Sequence, residues 1–216
     1  ISIGPLPSDT DPTVSSVVFR RLNVDGRGQE VSALRAHYDF SLNVENCTLR
    51  AGGYNQDGLG REVAGLHFRS GKNAFVRECQ IASSGGHGIL VDDRGDSGNN
   101  FTNHLEIREC LITENIANIR IKNGGFDTHI TGGIIGGIDD NDAGPGDGHN
   151  LIDEGFGQLT VSDVWFVGGE YGVVKFGANR MQTKIENVRF SGIDRQSVAD
   201  MGGNFSYTKV TDCTFD

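Results

Sequence analysis

Eight near-copies of one six-residue pattern run through this chain, and any fold must accommodate all of them. The pattern reads apolar, two variable residues, a small or apolar residue, one variable residue, apolar. Its clearest copies are Val44-Glu45-Asn46-Cys47-Thr48-Leu49, Val76-Arg77-Glu78-Cys79-Gln80-Ile81 and Ile107-Arg108-Glu109-Cys110-Leu111-Ile112. The same frame fits Phe19 to Val24, Ile130 to Ile135, Val161 to Phe166, Ile185 to Phe190 and Val210 to Phe215. The starting residues lie 25, 32, 31, 23, 31, 24 and 25 apart. A period in this range marks a solenoid or array.

Each copy has the β-branched or aromatic ends that strands favour. A second strand with alternation of period two follows in most units. It reads Leu34-Arg35-Ala36, Leu66-His67-Phe68, Ile89-Leu90-Val91, Ile119-Arg120-Ile121, Leu151-Ile152-Asp153 and Val174-Lys175-Phe176. Gly65, Gly88 and Asn118 precede three of these, where a turn with positive φ is expected. No long stretch has helical spacing. Units of this kind bury a core only by stacking on their neighbours. The expected fold is therefore all-β: a right-handed parallel β-helix, a solenoid of about eight coils with one unit per coil. Residues 1–16 hold three of the four prolines and no repeat, so they read as a connector or N-terminal arm; residues 17–216 read as the solenoid. The chain has no initiator Met and stops inside its eighth repeat strand, which suggests part of a longer protein.

The repeat resembles that of the pectate-lyase-like superfamily of β-helix proteins, which includes pectin-cleaving enzymes, polygalacturonases and phage tailspikes. The resemblance covers roughly residues 17–216. It implies a glycan-binding or glycan-cleaving domain, placed extracellularly or on a virion surface.

Composition narrows the partners. A net charge of −10 argues against nucleic acid, which needs a basic surface. No apolar run approaches the ~18 residues of a membrane span. Glycine, at 32 of 216 residues, is interrupted regularly by hydrophobic coils and so reads as turns rather than disorder. Cys47, Cys79, Cys110 and Cys213 share one slot of the repeat. That slot should face inward, stacking the first three at about 4.8 Å per coil. A ladder of small buried thiols fits this arrangement. A linear stack does not supply the convergent tetrahedral ligands of a zinc site. Nothing in the spacing demands disulfides.

Three connections are long: residues 50–65, 92–104 and 136–150. Insertions in a solenoid collect on one face, often the binding face. Asp139, Asp140 and Asp142 in the third could offer hard oxygens to Ca²⁺, the one cofactor the sequence suggests, although they lack EF-hand spacing. A solvated acidic turn fits them as well.

Alternation on the second strand points Arg35, His67, Leu90, Arg120, Ile152 and Lys175 outward. Two positions on, a second outward column holds His37, Arg69, Asp92, Lys122, Glu154 and Gly177. His67, Arg69, Arg120, Lys122 and Lys175 are therefore candidate substrate-binding residues. Glycoside hydrolysis needs two carboxyls flanking the scissile bond. Asp92 and Glu154 fall two coils apart, roughly 9.6 Å by strand spacing, near the inverting separation of about 6.5–9.5 Å. Lys122 between them would favour an ionised carboxylate, so the acid would come from Asp93 or Asp153. Ser84-Gly85-Gly86-His87-Gly88 and Arg120-Ile121-Lys122 are similar to two polygalacturonase motifs, and Asn55-Gln56-Asp57-Gly58 loosely to a third. That resemblance implies that Arg120 and Lys122 bind a substrate carboxylate and that His87 assists the catalytic carboxylates. The family's central Asp-Asp pair has no counterpart between Asp57 and His87. A lyase with Arg120 or Lys122 as base is an alternative, and a non-catalytic shaft or glycan-binding module of a fibre or adhesin is another. The fifth pattern residue should point outward, and Leu111, Ile134 and Trp165 are consecutive in that column. An apolar patch of this kind suggests a subunit interface, expected here as a homotrimer.

Overall fold

A computed structural model describes residues 1–3, 16–30, 32–37, 41–52, 63–69, 73–83, 86–92, 104–113, 117–122, 126–137, 148–176, 179–201 and 207–216. Asp93, Asp139, Asp140 and Asp142, and most of the three long connections, lie outside them. The described residues form strands and turns with no helix, and so no helix long and apolar enough to cross a membrane.

Every strand pairing is parallel and joins one repeat unit to the next. The first sheet has eight strands: Ser2–Ile3, Leu34–His37, Ala64–Arg69, His87–Asp92, Ala117–Lys122, His149–Glu154, Tyr171–Lys175 and Gln196–Asp200. Ser2 and Ile3, from the expected N-terminal arm, pair with Arg35 and Ala36. The second sheet has fourteen strands in two ladders. One runs from Ser16–Arg20 to Tyr207–Thr211, the other from Asn23–Glu30 to Thr214–Phe215. They are joined where His104–Thr113 and Asp127–Gly136 run through as single strands. Parallel sheets stacked in repeat order are compatible with a β-helix.

The ladders meet at a corner, and the repeat explains it. The third pattern residue has positive φ in all eight units: Arg21, Asn46, Glu78, Glu109, Gly132, Asp163, Asn187 and Asp212. Five of these are Asn, Asp or Gly, the residues that enter the left-handed region at least cost. The corners bond to one another. The N–H groups of Asn46 and Glu78 donate to the carbonyls of Arg77 and Arg108 at 3.0 and 2.9 Å. The expected positive φ at Gly65, Gly88 and Asn118 is not found. Gly65 is required by space instead, since a Cβ there would lie 2.5 Å from Ile81 Cγ2.

The core is the stack of inward residues. Cys47, Cys79 and Cys110 are buried in it as free thiols, as their slot predicts. Each thiol donates to the carbonyl two residues back, at 3.3, 3.1 and 3.3 Å, just before the corner. A hydrogen bond with Cys110 and burial push the Cys79 thiol up, and burial pushes Cys47 up. Neither is therefore poised as a thiolate nucleophile. Further along, Phe166, Phe190 and Phe215 stack at 5.3 and 5.4 Å between ring centres. The fifth pattern residues pair in one continuous outward column, from Asn23 and Thr48 through Leu111, Ile134 and Trp165 to Arg189 and Thr214.

The sixth repeat unit departs from the sequence reading by one residue. Val173, not Val174, pairs with Leu151 and faces the core, and Lys175 pairs with Asp153. Two adjacent valines suit either register by hydrophobicity, and a shift of one residue reverses the face of every side chain after it.

Candidate functional site

A pocket of about 370 Å³ opens on the outer face of the first sheet toward its C-terminal strands. Its wall begins with Arg120, which faces out because Ile119 and Ile121 on either side are fully buried. On the next strand, His149–Glu154, the residues Ile152 and Glu154 line it by the same alternation. Arg120 holds Glu154 with two bonds, Nε to Oε2 at 3.1 Å and Nη2 to Oε1 at 3.4 Å. Phe176 and Met201 continue the Glu154 column, as their N–H groups donate to Asp153 and Lys175 carbonyls at 2.9 and 2.8 Å.

An aromatic pair forms the other side. His149 and Tyr171 are register partners at the starts of adjacent strands. Their rings stack 5.0 Å apart at 9°. The Arg195 guanidinium sits 6.0 Å from the Tyr171 ring centre and pairs with Glu170 at 3.3 Å. The Tyr171 hydroxyl and the Glu170 charge both favour the charged form of Arg195 and raise its pKa further. Two arginine–glutamate pairs thus flank a stacked aromatic pair in a part-apolar cleft. His149 is the buried member of this pair, so such a cleft can take a flat apolar face on the part-exposed Tyr171 ring and hold hydroxyl or carboxylate groups with its charged rim.

The sequence-predicted residues distribute unevenly around this site. Arg120 and Glu154 line it. Lys122 is Glu154's register partner and Asp92 is Lys122's, so both half-buried side chains continue the Glu154 column away from the pocket. Arg69 ends the strand Ala64–Arg69, in register with His37. His67 and His87 are buried rather than displayed on an open face. Much of that expected face is buried too, including Leu90 and Val174. Asp153 and Lys175 require correction. Asp153, the candidate acid, is fully buried within its strand rather than open to a substrate, and accepts a hydrogen bond from Gly155 N–H at 3.1 Å. Lys175 faces inward at 2 % exposure, because of the register of its coil. Its Nζ donates to Thr208 Oγ1 at 3.1 Å and pairs with Asp200 at 3.6 Å. Glu170, Tyr171 and Arg195 were missed. Their only sequence signal is that Tyr171 opens its strand where His149 opens the preceding one.

No family model, curated protein or solved structure matches this chain.

Proposed function

We propose that this chain is a right-handed parallel β-helix of about eight coils that binds a polysaccharide or cell-surface glycan in the Arg120–Arg195 pocket, as an extracellular or virion-surface domain. The observation that carries the reading is the stacked His149–Tyr171 pair between two arginine–glutamate pairs. Aromatic faces cover the C–H faces of a sugar, and the charged rim addresses its hydroxyls and carboxylates. Cleavage needs a further element, a carboxyl that delivers a proton to the leaving oxygen. Glu154 and Glu170 are both engaged by guanidinium groups, so binding takes precedence over hydrolysis. A panel of neutral and acidic polysaccharides, titrated calorimetrically, tests this. A ligand should emerge whose affinity falls at least about tenfold in Tyr171→Ala, the loss of one stacked aromatic contact, with thermal stability unchanged. Binding that is absent throughout, or equal in the variant, would reject the pocket. The same panel assayed for reducing ends and unsaturated uronate decides on cleavage: turnover abolished by Glu154→Gln would make the domain a hydrolase or lyase.

The surface also supports assembly. Leu111, Ile134 and Trp165 are exposed at 39, 38 and 37 % on three successive strands, one contiguous apolar strip. Arg189 caps it at 4.9 Å from the Trp165 ring, and Trp165 Nε1 donates to Ser191 Oγ at 3.0 Å. The assembly we infer is a homotrimer with this strip buried between subunits. Sedimentation should give a trimer for the wild type and a monomer for Trp165→Asp. A wild-type monomer, or a fully assembled variant, rejects it.

A further inference from the structure

On the second sheet, away from the pocket on the first, three potential ligands converge. His104 and Asp127 open their strands and are register partners. His129 lies two residues beyond Asp127 and so on the same face. The intervening Leu105 and Thr128 are buried, which fixes the three side chains on the outer surface. His104 Nδ1 lies 3.0 Å from Asp127 Oδ2, and His129 Nε2 lies 2.8 Å from Asp127 Oδ1. The three ligand atoms all fall within 4.8 Å of one another. Four ligands at about 2.0–2.1 Å around a tetrahedral ion stand about 3.3 Å apart. Little movement therefore separates this cluster from a coordination shell.

We propose that His104, Asp127 and His129 bind a divalent transition-metal ion, with Zn²⁺ the ion their donors suit. Two imidazoles and one carboxylate match zinc, whereas calcium calls for six to eight oxygens. The neighbouring residues have the form of a supporting shell. Glu106 Oε2 stands 3.9 Å from His104 Nε2, the nitrogen turned away from Asp127. Nδ1 faces Asp127 Oδ2, and an ion binding there would take the place of the proton between them, with the Glu106 carboxylate standing on the Nε2 side. Glu106 is itself held by Arg77 at 3.0 Å. Three protein ligands leave a fourth position open. A pocket of about 350 Å³ lined by His104, Glu106, Arg108, His129 and Thr131 adjoins the two histidines, with room for a water or another small ligand. Exchangeable and catalytic zinc sites keep such an opening, while structural ones close it.

The test is titration of the whole chain with Zn²⁺ against a chromophoric chelator at neutral pH. Cys213→Ser serves as background, since Cys213 is the one cysteine only partly buried. A single equivalent should bind, and the imidazole resonances of His104 and His129 should shift while those of the other histidines do not. His104→Gln and His129→Gln should each weaken binding at least tenfold. Glu106→Gln, which removes a nearby negative charge without touching a ligand, should weaken binding less than either histidine variant. Melting of the metal-free variants at the wild-type temperature would show that their fold is intact. Failure to bind Zn²⁺ at micromolar concentration would leave the cluster as a hydrogen-bonded His–Asp–His group and overturn the proposal. So would undiminished binding in the His104→Gln/His129→Gln double variant, or resonance shifts confined to other residues.

Discussion

Replacing Lys175 with methionine is expected to destabilise the protein by about 3–5 kcal/mol, the cost of breaking a buried charge pair from one side. Methionine matches the lysine stem in length and apolar character, so packing changes little. What changes is the charge. Asp153, Lys175 and Asp200 pair across three successive strands at one inward position. In the preceding coils that position holds Phe68, Val91 and Ile121. Lys175 therefore places a cation between two carboxylates inside the stack, with Asp153 fully buried and Asp200 partly open at the last strand. Without the cation Asp153 keeps the bond from the Gly155 N–H but loses the positive charge at its register position, so its ionised form becomes costly or takes up a proton. The double variant Asp153→Leu/Lys175→Met should recover most of the loss, because two apolar residues continue what the earlier coils already do. Urea denaturation of the two single variants and the double variant measures the coupling. A Lys175→Met protein within 1 kcal/mol of wild type, well under that expected cost, would show that the lysine is not what holds Asp153 in the core.

That inward cation marks where the sequence stopped being legible. Register was readable wherever a unit contains one apolar residue per inward slot. The eight-member outward column from Asn23 to Thr214 pairs as its spacing predicts, and so does the thiol ladder. Reading failed where two neighbouring residues were equally apolar. Val173-Val174 allows two alignments, and the wrong one turns Lys175 outward. The corner was missed for a different reason. The pattern was read for hydrophobicity, while the signal for positive φ lay in its third position, where Asn46, Gly132, Asp163, Asn187 and Asp212 recur among residues of no common polarity. Sites were harder still. Arg120 and Glu154 could be found by counting along one column. His149, Tyr171 and Arg195 come together through register and a turn, and His104, Asp127 and His129 through register alone. Nothing in a single sequence distinguishes such residues from any other polar residue on a strand.

The corner also gives the second large effect, at the one coil where the repeat's small residue is glycine. Gly133 occupies the slot of Cys110, its register partner. By the logic of consensus, Gly133→Cys should complete the pattern and stabilise the core. The structure gives the opposite sign. Gly133 has φ of +85°, following Gly132 at +67°, so this corner has two left-handed residues where the neighbouring units have one. A Cβ on Gly133 would stand 2.2 Å from the Cys110 carbonyl oxygen and 2.7 Å from the Cys110 nitrogen. Both are backbone atoms held in the ladder, and neither can rotate away. The left-handed side chain costs about 1–2 kcal/mol and the overpacking about 1–3 kcal/mol, so a net loss of about 3 kcal/mol is expected. Gly132→Asn is the matched control. The three atoms nearest its Cβ all belong to the carboxyl end of Glu109, the closest at 2.6 Å, and that flexible end can swing into solvent. Asn already serves at this position in two other units, Asn46 and Asn187, so the variant should stay within about 1 kcal/mol of wild type. Thermal denaturation of the pair separates the two accounts. A Gly133→Cys protein as stable as wild type would mean that this corner can relax to the single left-handed residue of its neighbours, and that its paired glycines are dispensable to the fold.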